Sequence, residues 1–167
     1  NPGSYTDFPA EDNNLKLLGR VDWNINNDHH LAVRYNYTRN KTWNAVNNSS
    51  SDAYTRFTAS RMSQYGMSYS GSMYAMNNSV MSVSADLNSR FGANMSNQLL
   101  FTYSYIDDKR DPNCSNFPFV DIMAGYEADA TGKVTSQTLE PYISFGTELF
   151  SYNNRVQNKI FTLTDNF

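Results

Sequence analysis

The sequence contains few charged residues and little cysteine, and it has no long apolar run; each shortage excludes a class of protein. Its one cysteine, Cys114, cannot form an internal disulfide, so disulfide bonds do not hold this fold together. The net charge is -3, and lysine and arginine form no cluster, which argues against nucleic acid as a partner. No apolar run approaches the roughly 18 residues of a membrane helix, so insertion by helices is excluded.

Side chains that could bind a metal or take part in catalysis are also scarce. The two histidines, His29 and His30, are adjacent in an apparent turn, and no cysteine or glutamate lies beside them at the spacing of metal ligands. Asp107, Asp108 and Asp111 lack the glycine and the ligand ladder of a calcium loop. No nucleophile with a base and no carboxylate pair can be placed, so we expect no enzymatic activity, no cofactor and no metal.

Aromatic residues are abundant, while charged residues are few. Aromatic residues make up 14% of the chain and charged residues 17%, below the roughly 25% typical of soluble globular domains. Asparagine and serine supply most of the remaining polar surface. This composition suits a surface that meets lipid or sugar.

Four stretches alternate apolar and polar side chains with a period of two. In residues 15–25 (LKLLGRVDWNI) the odd-numbered positions are apolar or glycine, and the charged residues are even-numbered. The same parity returns in residues 31–38, 81–88 and 98–105, with Leu18 and Leu100 as even-numbered exceptions. Successive side chains of a strand emerge on opposite faces, so the pattern predicts an all-β chain whose antiparallel strands have one apolar and one polar face.

Two short and two long connections separate these strands. Residues 26–29 (NNDH) predict a tight hairpin, and residues 91–96 (FGANMS) a slightly longer one. Long loops are expected at about 40–61 and 107–155, the second because Pro112, Pro118 and Pro141 interrupt any simple strand. Unbroken parity from residue 65 to 87 favours one long strand bent near 76–78 over a hairpin, and residues 157–167 predict a last strand.

Alternating short and long connections are typical of outer-membrane β-barrels. A tilted strand of 11 residues covers roughly 26 Å, close to the apolar band of about 25 Å in such barrels. The parity also keeps charged side chains off the surface that would face lipid. A soluble sheet packed on one face gives the same alternation, so the pattern alone leaves both interpretations open.

Several segments resemble the barrel strands of TonB-dependent outer-membrane receptors. Residues 15–25 and 31–38 resemble early barrel strands, as do residues 84–91 (SADLNSRF) leading into 96–104 (SNQLLFTYS). Residues 145–150 (FGTELF), Asn153, Asn154 and residues 162–167 (TLTDNF) resemble the subgroup with an N-terminal carboxypeptidase-regulatory-like domain. The resemblance covers the chain from about Asn14 onward. It implies a 22-stranded barrel that is plugged by an N-terminal domain and imports a scarce ligand, such as a glycan, a peptide or a metal chelate.

The resemblance also implies partners and a location. It places the protein in the outer membrane of a Gram-negative bacterium, surrounded by outer-membrane lipid and energised by the TonB complex. Plug and TonB-contact segments are not found in this sequence, and we expect residues 1–167 to be a fragment of the barrel domain. In the starch-utilisation type of these receptors a surface lipoprotein caps the barrel, so the resemblance leaves room for that partner.

Aromatic side chains in the predicted long loops are the candidate ligand contacts. They could stack on a sugar or pack on a peptide at the outer mouth, or they could simply hold the loops together. The six candidates are Trp43, Tyr54, Phe57, Phe117, Phe119 and Tyr126.

Two other functions remain open at this point. The chain could be a soluble antiparallel module, such as a glycan-recognising sandwich, which would bury Leu17, Val33, Val83 and Phe101 against protein. It could also be a small adhesive barrel of eight strands, if the second long loop contains an added hairpin.

Overall fold

The computed structural model describes residues 1–46 and 66–167, and strands dominate both ranges. The predicted all-β class is confirmed. The elements are β1 (Asn13–Asn24), β2 (His29–Asn44), β3 (Met67–Ser68), a 3-10 turn (Ser70–Ser72), β4 (Tyr74–Phe91), β5 (Met95–Pro112), β6 (Val120–Ala128), β7 (Val134–Phe145) and β8 (Arg155–Asn166).

The chain divides into two compact units. The five-stranded unit comprises Asn13–Lys41, Asn77–Asp108 and Arg155–Phe167, and it is built on a sheet in the order β1-β2-β4-β5-β8. The three-stranded unit comprises Asn1–Asp12, Thr42–Met76 and Lys109–Asn154, and its sheet has the order β3-β7-β6. Every residue of the five-stranded unit lies in the described ranges.

The β1–β2 hairpin confirms the first predicted turn. The Oδ1 atom of Asn26 accepts hydrogen bonds from the backbone N–H groups of Asp28 at 2.8 Å and His29 at 2.9 Å, which closes a tight loop. The strands pair antiparallel, with Val21 opposite Val33 and Leu17 opposite Tyr37. The pairing therefore brings odd-numbered apolar residues of both strands to one face.

Hydrogen-bond contacts show that two further pairs in this sheet, β4–β5 and β5–β8, are also antiparallel. Between β4 and β5, Ser82 Oγ lies 3.3 Å from Ser104 Oγ, and Ser79 Oγ lies 3.3 Å from the Asp107 carbonyl oxygen, so the residue numbers rise on one strand as they fall on the other. The turn between these strands uses Gly92 at a φ of 71°. Between β5 and β8, Asn97 contacts Asp165 and Asp107 contacts Arg155, so this pair is antiparallel as well.

Strand β4 passes through residues 76–78 without a turn, as the parity of the sequence predicts. The prediction that the same strand begins near Tyr65 is wrong in its first half, because a 3-10 turn at Ser70–Ser72 separates β4 from β3. Ser72 causes the break by donating both its backbone N–H and its hydroxyl to the Tyr69 carbonyl oxygen, at 3.1 and 3.0 Å. Tyr65 itself lies outside the described residues.

The segment predicted as a long loop at 107–155 contains strands. Strand β5 continues to Pro112, and β6 and β7 form an antiparallel hairpin farther on. Pro141 is accommodated inside β7 because the register slips where Met123 pairs with it, and Gly125 adopts a φ of 111° beside a second slip. In the first predicted loop, β2 extends to Asn44, and residues 47–65 lie outside the description.

The three-stranded unit packs around small and polar residues. Met73 and Ala75 are buried there together with Ser72, Ser144 and Ser151. The backbone at residue 71 leaves no room for a side chain: a Cβ added to Gly71 would lie 2.1 Å from the Pro2 carbonyl oxygen. Such close backbone approach replaces side-chain packing with hydrogen bonds between segments that are distant in sequence.

Candidate functional site

The even-numbered side chains of the five-stranded unit form its polar face, and Asp22 organises one part of that face. Arg20 donates to both carboxylate oxygens of Asp22, from Nε and Nη2, each at 2.7 Å. His30 Nε2 lies 3.4 Å from Asp22 Oδ1, and its Nδ1 lies 2.7 Å from Asn24 Oδ1. The β1–β2 register creates this group because it places Asn24 opposite His30.

The polar face continues across β4 and β5. Asp86 accepts hydrogen bonds from the amides of Asn88 at 3.0 Å and Gln98 at 3.1 Å. Arg90 at the end of β4 donates from Nε and Nη2 to Asp28 Oδ1 in the β1–β2 turn, at 3.0 and 2.8 Å. Carboxylates, amides and guanidinium groups therefore form an exposed hydrogen-bonded surface over four strands.

A concavity of about 610 Å³ lies at the hairpin end of this unit. Apart from Phe167, its lining residues are polar, and asparagine is the most frequent type. The lining includes Asn24, Asp28, His30, Asn88, Arg90 and Gln98. Such a surface offers many hydrogen-bond donors and acceptors to a polar molecule or to a polar protein segment.

The odd-numbered side chains of the same unit form its apolar face, where they are half-buried on β4 and largely exposed on β1 and at Phe161 and Leu163 of β8. The exposed fraction is 51% for Leu17, 66% for Val21 and 69% for Leu163. In the five-stranded unit, which is described throughout, the buried residues are Ala32, Asn77 and Ser89 alone. This unit therefore has no apolar core among its own residues, and apolar side chains such as Leu17, Val21 and Leu163 are exposed on its surface.

Polar residues on the apolar face lie toward its two ends. At the hairpin end Asn97 donates to Asp165, and at the opposite end Asp107 accepts a two-pronged bond from Arg155, with Nε to Oδ1 at 2.7 Å. Between the ends, the rings of Tyr103 and Phe161 stack with centroids 4.7 Å apart. The apolar face is thus a band that is bordered by ion pairs and amides.

One lysine on β8 lies within this band, beside Phe161, and directs its charge toward one border. Lys159 Nζ lies 6.0 Å from the centre of the Tyr105 ring, on the side of Asp107 and Arg155. Gln157 lies with its side-chain amide 2.6 Å from the Tyr105 hydroxyl. Amphipathic side chains of this type bury their stems along apolar surface and direct their polar tips to water.

The six predicted aromatic residues do not come together as one described cluster. Trp43 lies on β2, half-buried, and not in a loop; Phe117 and Phe119 are half-buried in the connection before β6. Tyr126 lies on β6, where its backbone pairs with that of Gln137. Tyr54 and Phe57 lie outside the described residues.

Phe117 belongs to a series of rings in the three-stranded unit that sequence reasoning missed. Its ring lies 6.3 Å from Phe145, which lies 6.0 Å from Tyr69, which lies 6.0 Å from Tyr5, measured between ring centres. Tyr5 is 61% exposed and ends the series at the surface. The contacts join four segments far apart in the sequence, so no local pattern indicates them.

Thr147 fixes the backbone beside Phe117. Its hydroxyl accepts a bond from the Phe117 N–H at 2.8 Å and donates to the Ser115 carbonyl oxygen at 3.1 Å. Cys114 Sγ lies 3.4 Å from the same hydroxyl and 3.7 Å from the Gly71 carbonyl oxygen. The cysteine is therefore part of a structural hydrogen-bond group.

Neither metal ligation nor helical membrane crossing is indicated within residues 1–46 and 66–167. No three His, Cys, Asp or Glu side chains in those ranges are grouped to hold a metal ion. No helix in the same ranges has the length and apolar character of a membrane span.

Comparisons with known proteins identify no relative of this chain. Searches against protein-family models, curated protein sequences and solved structures find no significant match for this chain.

Proposed function

We propose that this chain forms part of the barrel wall of a TonB-dependent transporter in the outer membrane of a Gram-negative bacterium. The single observation that carries the proposal is the exposed apolar face of the five-stranded unit, bordered at both ends by polar pairs. The transported ligand is a scarce nutrient of the glycan, peptide or metal-chelate class. The energy comes from the TonB complex through a plug domain that is not among these residues.

Solvation energies favour lipid over water as the environment of the apolar face. Burying apolar surface contributes about 25 cal/mol per Å², and soluble monomers rarely expose contiguous apolar patches larger than a few hundred Å². A lysine or arginine at the bilayer midplane costs about 2 to 4 kcal/mol, and the cost falls toward the interfaces. Arg155 lies at one end of the band, and Lys159, nearer the middle, directs its ammonium group toward that end over the Tyr105 ring.

The polar face then lines the conduit. Arg20 pairs with Asp22, Arg90 pairs with Asp28, and Asp86 accepts from the Gln98 amide, so these charges require no partner from lipid. In the orientation that is usual for these barrels, short turns lie on the periplasmic side. The asparagine-rich concavity at the hairpin end would then face the periplasmic mouth, where a plug or a passing ligand can bind.

The two other functions receive less support. A soluble glycan-binding module would bury Leu17, Val33, Val83 and Phe101. Val83 is half-buried, but the exposed fractions of Leu17, Val33 and Phe101 are 51%, 36% and 40%. A closed adhesive barrel of eight strands would place all strands in one sheet, whereas the eight described strands divide between a five-stranded and a three-stranded sheet. The open edges of the five-stranded sheet require further strands to complete a barrel.

The proposal can be tested by locating lipid around the full-length receptor in outer-membrane vesicles. Single cysteines are introduced into a Cys114→Ser background and labelled with nitroxide: Leu17→Cys and Phe101→Cys on the apolar face, Lys16→Cys and Thr102→Cys as neighbours on the polar face. We expect lipid-dissolved oxygen to relax the first pair, and a water-soluble nickel chelate to relax the second. The reverse pattern, or apolar-face labels shielded from both reagents, would contradict the proposal.

A further inference from the structure

Two arginines face each other across β1 and β2 on the polar face. The register places Arg34 directly opposite Arg20, so their Cβ atoms are about 5 Å apart. Asp22 accepts two hydrogen bonds from Arg20, each at 2.7 Å. Arg34 is half-buried and has no hydrogen-bond or ion-pair partner among the described residues. The aspartate therefore compensates one guanidinium group, and the second lies beside a like charge, which destabilises a strand pair.

The carboxylates on this part of the polar face are engaged by other groups. Asp22 binds Arg20 and lies 3.4 Å from His30, and Asp86 accepts from two side-chain amides. The N–H donors of Arg34 thus stay available, in a planar fork that fits a carboxylate. Nη1 of Arg20 also has no partner among the described residues. The two side chains together can bind one anionic group of a ligand.

The surroundings of the two guanidinium groups are aliphatic and not aromatic. Leu18 lies on the same face two residues before Arg20, is diagonal to Arg34 and is 78% exposed. Val156 and Ile160 of β8 are also exposed on this face. The five-stranded unit is described throughout, and its even-numbered positions hold no Phe, Tyr or Trp. An aliphatic group of a ligand can pack here, whereas a sugar ring finds no aromatic side chain for stacking.

We infer that the polar face binds the carboxylate of a transported peptide through Arg34 and Arg20, with an aliphatic side chain of that peptide on Leu18. The inference rests on the proposed function, which makes this face the wall of the conduit, and it selects peptides among the three ligand classes. A carboxylate between the guanidinium groups relieves their repulsion, and a neutral glycan does not. An anionic sugar or metal chelate would use the guanidinium groups without Leu18.

The first test compares probes on the native purified protein in a neutral detergent, with dissociation constants from NMR titrations. The probes are N-acetyl-alanyl-leucine with a free carboxylate, the same dipeptide as its C-terminal amide, and glucuronate. We expect the amide to bind about tenfold more weakly than the acid, because it cannot accept a charge-assisted pair of hydrogen bonds. Glucuronate, which lacks an aliphatic group, should also bind more weakly. This comparison requires no substitution.

The second test uses variants of the same protein. In R34Q the advantage of the acid over the amide is lost, and in R34K part of it remains. The matched control is K16Q, which removes the same charge from the same face. Lys16 also has no partner among the described residues, but it lies about 13 Å along the strand from Arg20, beyond a Debye length of about 8 Å. K16Q should therefore keep the advantage of the acid.

Two further measurements separate binding from a structural role. L18S should abolish the preference for N-acetyl-alanyl-leucine over N-acetyl-alanyl-glycine while keeping the preference for acid over amide. Urea unfolding of R34Q without a probe should show no loss of stability, because the substitution removes a like charge opposite Arg20. A marked loss of stability in R34Q would show that Arg34 serves the fold, and the site would be overturned.

The outcomes separate this inference from the proposed function. Equal binding of acid and amide, or equal losses in R34Q and K16Q, overturns the carboxylate site, while the lipid-facing wall is decided by the nitroxide labels alone. Glucuronate that binds as tightly as the acid overturns the assignment to peptides. If the labels contradict the lipid-facing wall while the acid is still preferred, the proposed function fails and the role of this site in transport fails with it.

Discussion

At the scale of single residues, most of the buried side chains that the structure describes in the three-stranded unit are polar, and several of them are hydrogen-bonded. Serine, threonine and glutamate are buried there beside Met73 and Ala75. A buried donor or acceptor that loses its partner keeps its full desolvation penalty. Hydroxyl groups in this unit therefore matter more for stability than their small size suggests.

Thr147 is the clearest example. Replacing it with valine keeps the shape of the side chain but leaves the Phe117 N–H without its acceptor, so we expect the free energy of unfolding to fall by about 1 to 3 kcal/mol. Urea unfolding of the purified protein measures the change. Thr147→Ser, which keeps the hydroxyl, should recover most of the loss.

The matched control is Thr135→Val in β7. Its hydroxyl donates to the Glu127 carbonyl oxygen at 3.2 Å from an exposed position, where water can replace the bond. We expect a change within about 0.5 kcal/mol. Equal effects of the two substitutions would refute the importance assigned to Thr147.

At the scale of strands and turns, the period of two identifies the strands of the five-stranded sheet but not those of the three-stranded sheet. Strands β1 and β2 keep one register over their length, and the parity of β1, β2 and the central parts of β4 and β5 is visible in the sequence. Register slips at Ile122, Met123 and Glu127 destroy the parity of β6, and Pro141 conceals β7. A bulge is a property of a strand pair, so one strand read alone does not reveal it.

The sequence also predicts one part of the candidate site and not another. The two faces of the five-stranded sheet follow from parity, because side-chain direction is a local property of a strand. The ring series from Tyr5 to Phe117 depends on which distant segments become neighbours. That information is contained in long-range pairing, which no single stretch of sequence specifies.

The turn between β6 and β7 should respond to acid. Hydrogen bonds from the Thr131 hydroxyl, the Lys133 N–H and the Thr131 N–H lower the pKa of Asp129. A carboxyl whose folded-state pKa is lowered stabilises the folded turn above its unfolded pKa of about 3.9, and this contribution disappears as the pH falls through the folded value. The turn is therefore expected to loosen only in strong acid.

Amide exchange at Thr131 and Lys133, corrected for intrinsic rates, measures this loosening. Protection should decrease between neutral pH and a pH below about 3.9 in the native protein. In Asp129→Asn the side-chain oxygen still accepts but does not titrate in this range, so protection should stay constant. Constant protection in the native protein as well would contradict the role of Asp129.

At the scale of the whole molecule, the environment of the apolar face decides the function. Leu163 is 69% exposed on that face, and Thr162 is its exposed neighbour on the polar face. In water a lysine at either position changes stability little. In a bilayer we expect Leu163→Lys to cost up to about 2 to 4 kcal/mol and Thr162→Lys to cost little.

Folding of the protein in the presence of lipid vesicles, followed by heat-modifiable gel migration, measures the difference. A smaller folded fraction for Leu163→Lys than for Thr162→Lys supports a wall that faces lipid. Equal folded fractions would indicate that Leu163 meets water or protein, and a loss confined to Thr162→Lys would invert the two faces.

The two outer strands of the five-stranded sheet, β1 and β8, each have 12 residues and contain no proline. Each presents a row of backbone donors and acceptors about 40 Å long to whatever lies beside it. Natural edge strands are usually shortened or protected by proline or inward charges, because an open edge recruits further chains. Without neighbouring strands to saturate these rows, the isolated chain in water is therefore a template for self-association into extended β-assemblies.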